Sequence, residues 1–332
     1  MDITVILCTY NRCGDLGKTL NSVAASKLPS SVEWEVLVVD NNSNDRTRGV
    51  VENFCRRYDG LFRYVFEPQP GKSFALNRGI GEARGDVLAF LDDDVTVEPN
   101  WLHNLTTFLR DGLWAGVGGR TLLAEKVELP KWLTIDGSDG MGGVLAAMFD
   151  LGSEPCELTV APYGANMAFR KEMFEKYGLF RTDLGPSPNN DIPRPNEDTE
   201  FGRRLMAAGE RLRYEPSAIA YHPVIKDRLQ QEYFLTWWFD YGRAEIREKG
   251  MRPPVWGIPR HYFSIPKMIG VCLTQRALRW MCSMDPKRRF ANKCWVRIMM
   301  GEIVESYRLA RDSQIRETGT MQKASIEYDS HA

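Results

Sequence analysis

Three carboxylates stand side by side at Asp92, Asp93 and Asp94, closing the apolar run Val87-Leu88-Ala89-Phe90-Leu91. Like charges this close repel and raise one another's pKa unless a cation or hydrogen-bond donors offset them. Hard oxygen ligands at the mouth of a sheet suit Mg2+ or Mn2+ holding a diphosphate. An acidic helix-capping turn is the competing account. A calcium loop of the EF-hand kind is excluded, because its pattern wants glycine at Val97 and glutamate at His103.

A second acidic group, Asn196-Glu197-Asp198-Thr199-Glu200, opens a helical pattern. Acids there complement the helix dipole, with Asn196 as cap. A carboxylate held at a rigid helix start could also act as general base on an acceptor hydroxyl. His222, in Tyr221-His222-Pro223, is one of four histidines and is either a structural side chain or a metal ligand. Asp40 ends another apolar run, where it could accept from a nucleobase N–H or cap the helix that follows. Thr9 and Tyr10 offer backbone and ring contacts beside it. Gly71-Lys72 puts a turn and a cation before a helix start, a place for a phosphate or for a solvated lysine.

These residues need a scaffold. Residues 3–8 and 36–39 are short, continuous, β-branched runs, the sign of strands buried on both faces of a parallel sheet. Helical patterns follow at about 15–25 and up to 58, then a strand at 61–66, a helix at 73–83 and a strand at 86–91. Such alternation implies a doubly wound α/β sheet, in which ligands bind beyond the carboxyl ends of the strands. Thr9, Asp40 and Asp92–Asp94 then fall on one edge. Gly79-Ile80-Gly81 is no dinucleotide fingerprint, since it ends a helix instead of opening one, and Gly85 reads as the helix cap. A loose stretch at 121–162 precedes a strand and helix over 166–177, a helix over 197–208, and short strands at 211–214 and 217–221.

Length and composition fit a chain of 332 residues with an ample core, 43% hydrophobic. The net charge of −1 gives no reason to expect a nucleic-acid partner. The seven cysteines show no CxxC pair, which argues against a zinc site or disulfide framework. The amino terminus lacks a signal-peptide pattern, and the expected location is cytoplasmic. Between Met251 and Arg311, twelve Lys or Arg face three acids, interleaved with Trp256, Tyr262, Phe263, Trp280, Trp295 and Tyr307. That stretch suits peripheral contact with an anionic membrane, or a helical subdomain with a solvated cationic face.

Taken together, VILCTYNR, LVVDNNSND, GKSFALNRGI, FLDDDV, GANMAFRKEMF, NEDTEFGRRL and AIAYHPV resemble the inverting family 2 glycosyltransferases of the GT-A fold, in that order and over about residues 3–225. The resemblance implies a GT-A domain over 1–225 (nucleotide-sugar half 1–120, acceptor half 121–225); beyond it, composition alone reads as a basic, aromatic helical region over 226–313 and a disordered tail over 314–332. The resemblance also implies that Thr9, Tyr10, Asn11, Arg12, Asp40, Asn42, Lys72, Asn77, Asp92 and Asp93 hold the nucleotide-sugar. Asp94, with Asp92 and His222, would hold Mn2+ or Mg2+. Asp198 would be the base, with Glu197 placing the acceptor and Asp191 as fallback. Trp101 and the aromatics of 132–180 are acceptor-side candidates. The implied reaction is transfer from a nucleotide-sugar, UDP first, to a hydroxyl of a saccharide or lipid-linked acceptor. A nucleotidyltransferase is the nearest rival, but CTYNRCGD lacks its glycine-rich triphosphate loop. A membrane-binding adaptor with an inactive transferase domain is the rival from another class.

Overall fold

Runs that are apolar without interruption become strands covered on both sides, and the first half of this chain follows that rule. The computed structural model of the chain describes residues 2–135, 140–145, 147–189, 191–250, 269–270 and 274–329, the last eighteen by backbone alone. Strands β1 (Ile3–Thr9), β2 (Trp34–Asp40), β3 (Phe62–Phe66) and β4 (Val87–Asp92) lie parallel in the order β3-β2-β1-β4. Helices α1 (Leu16–Ala24), α2 (Thr47–Arg57) and α3 (Lys72–Glu82) make the crossovers. In α1 the residues Leu16, Leu20 and Val23, one turn apart, are buried with Thr19 against the sheet core. Each such aliphatic side chain contributes about 1.5–3 kcal/mol on leaving water.

Beyond β4 the sheet continues through β8 (Asn166–Arg170), β6 (Gly116–Leu123), β9 (Leu212–His222) and β5 (Thr96–Val97), with β7 (Cys156–Glu157) paired to β9. β8 runs antiparallel to both β4 and β6, whereas β6 and β9 are parallel. The fold is therefore mixed α/β around a largely parallel sheet, as expected from the alternation. Helices α4 (Trp101–Thr106), α5 (Glu172–Tyr177) and α6 (Glu197–Ala207) flank it.

Two local expectations change. One strand, β9, replaces the two short strands expected at 211–214 and 217–221; Pro216 falls where the β6–β9 register slips, a bulge that absorbs its missing N–H. Gly85 is no helix cap, because α3 is capped at Ala83. A Cβ at Gly85 would stand 2.5 Å from the Thr4 amide nitrogen, so the close approach to β1 requires glycine.

The chain divides into two compact units, residues 1–129 with 142–229, and residues 130–141 with 230–332. The second unit holds α7 (Gln231–Lys249), α8 (Thr274–Cys282) and α9 (Pro286–Asp329). Trp132 packs on Phe290 and Phe234, with ring centroids 4.4 and 5.7 Å apart. Arg243 bonds the fully buried Glu305 at 3.0 Å and Asp240 at 3.1 Å. Gly242 of α7 and Gly301 of α9 lie so close to the opposite backbone that a Cβ at either would overlap the carbonyl of Ile298 or of Phe239.

Candidate active site

Because β1, β2, β4 and β9 point the same way, Thr9, Asp40, Asp92 and His222 all arrive at one edge of the sheet. Asp40 is buried there and accepts from Tyr64 Oη at 2.9 Å and from the Ser43 amide at 3.0 Å. Thr9 is buried, its carbonyl accepting from the Asn41 amide at 2.9 Å, while Tyr10 is 53% exposed. Asn11 and Asn42 both take left-handed backbone, φ 52° and 64°. The Asn11 amide donates to Ser43 Oγ at 2.9 Å, and Asn11 Oδ1 accepts from the Asn44 amide, so the loops after β1 and β2 form one surface.

The carboxylates of the first acidic group divide their partners. Asp92 Oδ1 takes Lys72 Nζ at 2.7 Å, and that bond holds its pKa down against the effect of burial. Asp94 takes Arg12 Nη2 at 3.3 Å on Oδ2 and faces His222 Nε2 at 3.5 Å with Oδ1. Asp93 has the Thr9 hydroxyl and the edge of Arg12, Nε at 4.0 Å, beside it, but burial, followed by repulsion from Asp94, outweighs both and lifts it to about 6. The repulsion inferred from the spacing is thus concentrated on the middle residue.

The second acidic group reaches the same place. Glu197 is buried, and Lys72 Nζ lies 3.4 Å from its Oε1. Burial and then the neighbouring Asp198 raise its pKa to about 7. Lys72 is correspondingly held as an ammonium: burial works against its charge, but Asp92, Glu197 and Asp198 outweigh it. Asp198 Oδ2 accepts from the Gly164 amide at 2.5 Å and Oδ1 from the Thr199 amide at 2.6 Å. Asn196, at the head of α6, has left-handed backbone (φ 82°) and makes no side-chain cap bond. The helix is instead anchored by its core face, where Phe201 stacks on Phe174 with centroids 4.3 Å apart and packs on Phe169 and Phe180.

Other expected residues sit elsewhere. Asn77 is engaged by the backbone of Phe180, donating at 2.9 Å and accepting at 3.0 Å, and this stitches α3 to the segment before α6. Asp191 is exposed. Trp101 is fully buried and donates Nε1 to Asn166 Oδ1 at 2.7 Å. Among the aromatics of 132–180, Phe149, Phe169, Phe174 and Phe180 are core, and Tyr163 keeps 38% exposure. Asn41, in sequence one of a run of Asx residues suited to capping a helix, instead holds the loop after β3. Its amide donates to the carbonyls of Glu67 and Gln69 and accepts from the Gly71 amide at 2.8 Å, fixing the turn that delivers Lys72.

Five carboxylates therefore face Lys72 and Arg12, an excess of negative charge that a divalent cation would lessen. The donor chemistry fits one. His222 Nδ1 lies 2.8 Å from the Pro223 carbonyl, so a neutral ring donates there and turns its Nε2 lone pair toward Asp94 Oδ1. Two acceptors facing each other call for a cation or a proton between them. Among the described residues no three His, Cys, Asp or Glu converge on one point. A small hard cation bound by one or two side chains keeps its other positions for phosphate oxygens and water.

A model described as "Glycosyl transferase family 2" matches residues 4–178. Glycosyltransferase AglE of Haloferax volcanii is 29% identical over 67% of this chain and 66% of its own length. Succinoglycan biosynthesis protein ExoM of Rhizobium meliloti is 28% identical over 74% and 75%. The chain thus spans about two thirds to three quarters of these relatives. Among solved structures, the mannosyltransferase PcManGT of Pyrobaculum calidifontis, in complex with GDP-Man and Mn2+, superposes with a TM-score of 0.58, covering 92% of this chain and 86% of that one. At 18% identity this likeness concerns the fold, which is that of the GT-A glycosyltransferases.

Proposed function

The chain belongs to glycosyl transferase family 2, and from that membership we propose a metal-dependent, inverting transfer of a sugar from a nucleotide-sugar to a hydroxyl of a saccharide or lipid-linked acceptor. The observation that carries the reading is the meeting of the two acidic groups: Asp92 at the end of β4 and Glu197 at the head of α6 bind one ammonium, that of Lys72. A donor diphosphate brought to this edge adds negative charge to five carboxylates, so its binding requires a counter-cation.

In this reading Thr9, Tyr10, Asn11, Arg12, Asp40 and Asn42 form the nucleoside surface, and Asp92-Asp93-Asp94 is the DXD-type group. Asp94 and His222 would hold Mn2+ or Mg2+, with Asp92 beside them; the bound cation supplies Lewis-acid stabilisation of charge on the departing diphosphate. Arg12 and Lys72 hold the carboxylates in place and offer positive charge to the phosphates. Asp198, its two oxygens each fixed by a backbone amide, takes the proton of the acceptor hydroxyl from the face opposite the leaving group. In-line attack then inverts the anomeric centre. Glu197 positions the acceptor side of the site.

UDP is the first nucleotide to test, with GDP and dTDP after it. The second unit is proposed to rest on an anionic membrane at the cytoplasmic face. Supporting this, Leu278, Met281, Met284, Trp295 and Tyr307 are exposed beside Arg276, Arg279, Lys287 and Lys293. The rest of that basic stretch, at 251–268 and 271–273, lies outside the described residues. Among the described residues no helix is long and apolar enough to cross a membrane.

Thermal melts with UDP, GDP and dTDP, each with and without Mn2+, test the proposal. One nucleotide should raise the melting temperature, and more so with Mn2+, because a ligand that binds only the folded state stabilises it. No shift with any nucleotide would overturn it. Release of pyrophosphate in place of nucleoside diphosphate during turnover would favour the nucleotidyltransferase.

A further inference from the structure

Tyr163 lies in the segment that supports the proposed base. Its neighbour Gly164 donates the amide that holds Asp198 Oδ2, and its own carbonyl accepts from the Asn166 amide at 3.1 Å, so the backbone on either side is fixed. The ring meets the buried Phe149 edge-on, with centroids 5.3 Å apart and planes at 62°, yet more than a third of the residue remains open to solvent. The phenol also lies within electrostatic reach of Asp198 and Arg203.

The ring is thus held from one side and keeps open surface next to the residue whose amide holds Asp198. A pyranose has a face of axial C–H groups that is apolar and hydroxyls at its rim. An aromatic ring held rigidly by two torsions offers a flat apolar surface to such a face at small cost in conformational entropy. We propose that Tyr163 is the acceptor platform: the sugar ring stacks on it, and its reacting hydroxyl is thereby presented to Asp198. The interaction rests on the transferase reading and goes beyond it by assigning the acceptor subsite to one residue and one chemical feature, the ring face. The phenolic hydroxyl has no part in it.

The test uses saturation-transfer NMR on the full chain, with diamagnetic Mg2+ and the nucleotide that stabilises it, and three probes: methyl β-glucopyranoside, methyl β-galactopyranoside and methyl α-mannopyranoside. Wild type and Tyr163→Phe should both transfer magnetisation to the ring C–H protons of at least one probe. Tyr163→Ala should lose about three- to tenfold of that signal. The nucleotide-induced rise in melting temperature should be equal in all three, which also shows that each is folded. An undiminished signal in Tyr163→Ala, no signal with any probe in wild type, or a Phe variant as weak as Ala would overturn the platform. Loss of the nucleotide response in wild type would instead strike the transferase reading itself.

Discussion

Lys72 and Glu197 meet across the site, Nζ lying 3.4 Å from Oε1, while the same ammonium bonds Asp92 at 2.7 Å. A cation between two sheltered carboxylates restrains three elements at once: the start of α3, the end of β4 and the head of α6. Removing it leaves like charges facing each other with water largely excluded.

Lys72→Met should therefore destabilise the fold by about 2–4 kcal/mol, somewhat below the roughly 3–5 kcal/mol for breaking a fully buried pair, because Lys72 and Asp92 keep 23% and 25% exposure. Adding Glu197→Gln to that variant should restore part of the loss, and melts of the two single variants and the double variant measure the coupling. Additive effects would show that the two groups do not interact.

Asp198→Asn should keep the nucleotide-dependent rise in melting temperature and lower transfer by about 10²- to 10⁴-fold, as expected for loss of a general base. The amide retains an oxygen for one of the two backbone donors and turns an NH2 toward the other, so the unliganded protein should lose about 1–3 kcal/mol while the nucleotide-dependent rise persists. Turnover within a few-fold of wild type would move the base to another residue.

Asp94→Ala should abolish the Mn2+-dependent part of the nucleotide response and leave the metal-independent part. His222→Ala should weaken the Mn2+ response less, because imidazole contributes no charge. Paired melts with and without Mn2+ read both. A normal Mn2+ response in Asp94→Ala would remove the metal from this position.

Without ligand, the contribution of Asp93 to stability should fall as the pH rises from about 4 toward 6. Asp93 has its folded pKa raised to about 6, so the folded state holds a proton that the unfolded chain has already lost. The stability lost on this account is complete above the folded pKa. Asp93→Asn removes the penalty and should melt higher than wild type at pH 7.5, and by no more than a small margin at pH 4. The same variant with nucleotide and Mn2+ should show a smaller ligand-induced rise than wild type.

Much of the proposed donor half of the site was legible because one rule suffices: parallel strands read as unbroken apolar runs, and their carboxyl ends share an edge. Thr9, Asp40 and Asp92 follow directly. The proposed acceptor half was less so. β6 opens Gly116-Val117-Gly118-Gly119, which carries no strand signal, and its pairing depends on β8 arriving antiparallel from fifty residues downstream. Partners fixed only by tertiary contact, such as Lys72 to both acidic groups or Asn77 to the Phe180 backbone, leave no local trace. Asn166 is the clearest case: in GANMAFR it looks like any strand residue, yet it accepts from Trp101 and donates to the carbonyls of Arg120 and Ala218.

In the second unit, Gly242 and Gly301 bring the main chains of α7 and α9 into direct van der Waals contact. A junction of that kind tolerates neither sliding nor rotation of one rod along the other, since any shift would drive a larger residue into the gap. The two rods accordingly act as one stiff lever, and even one added methyl along this seam would force them apart.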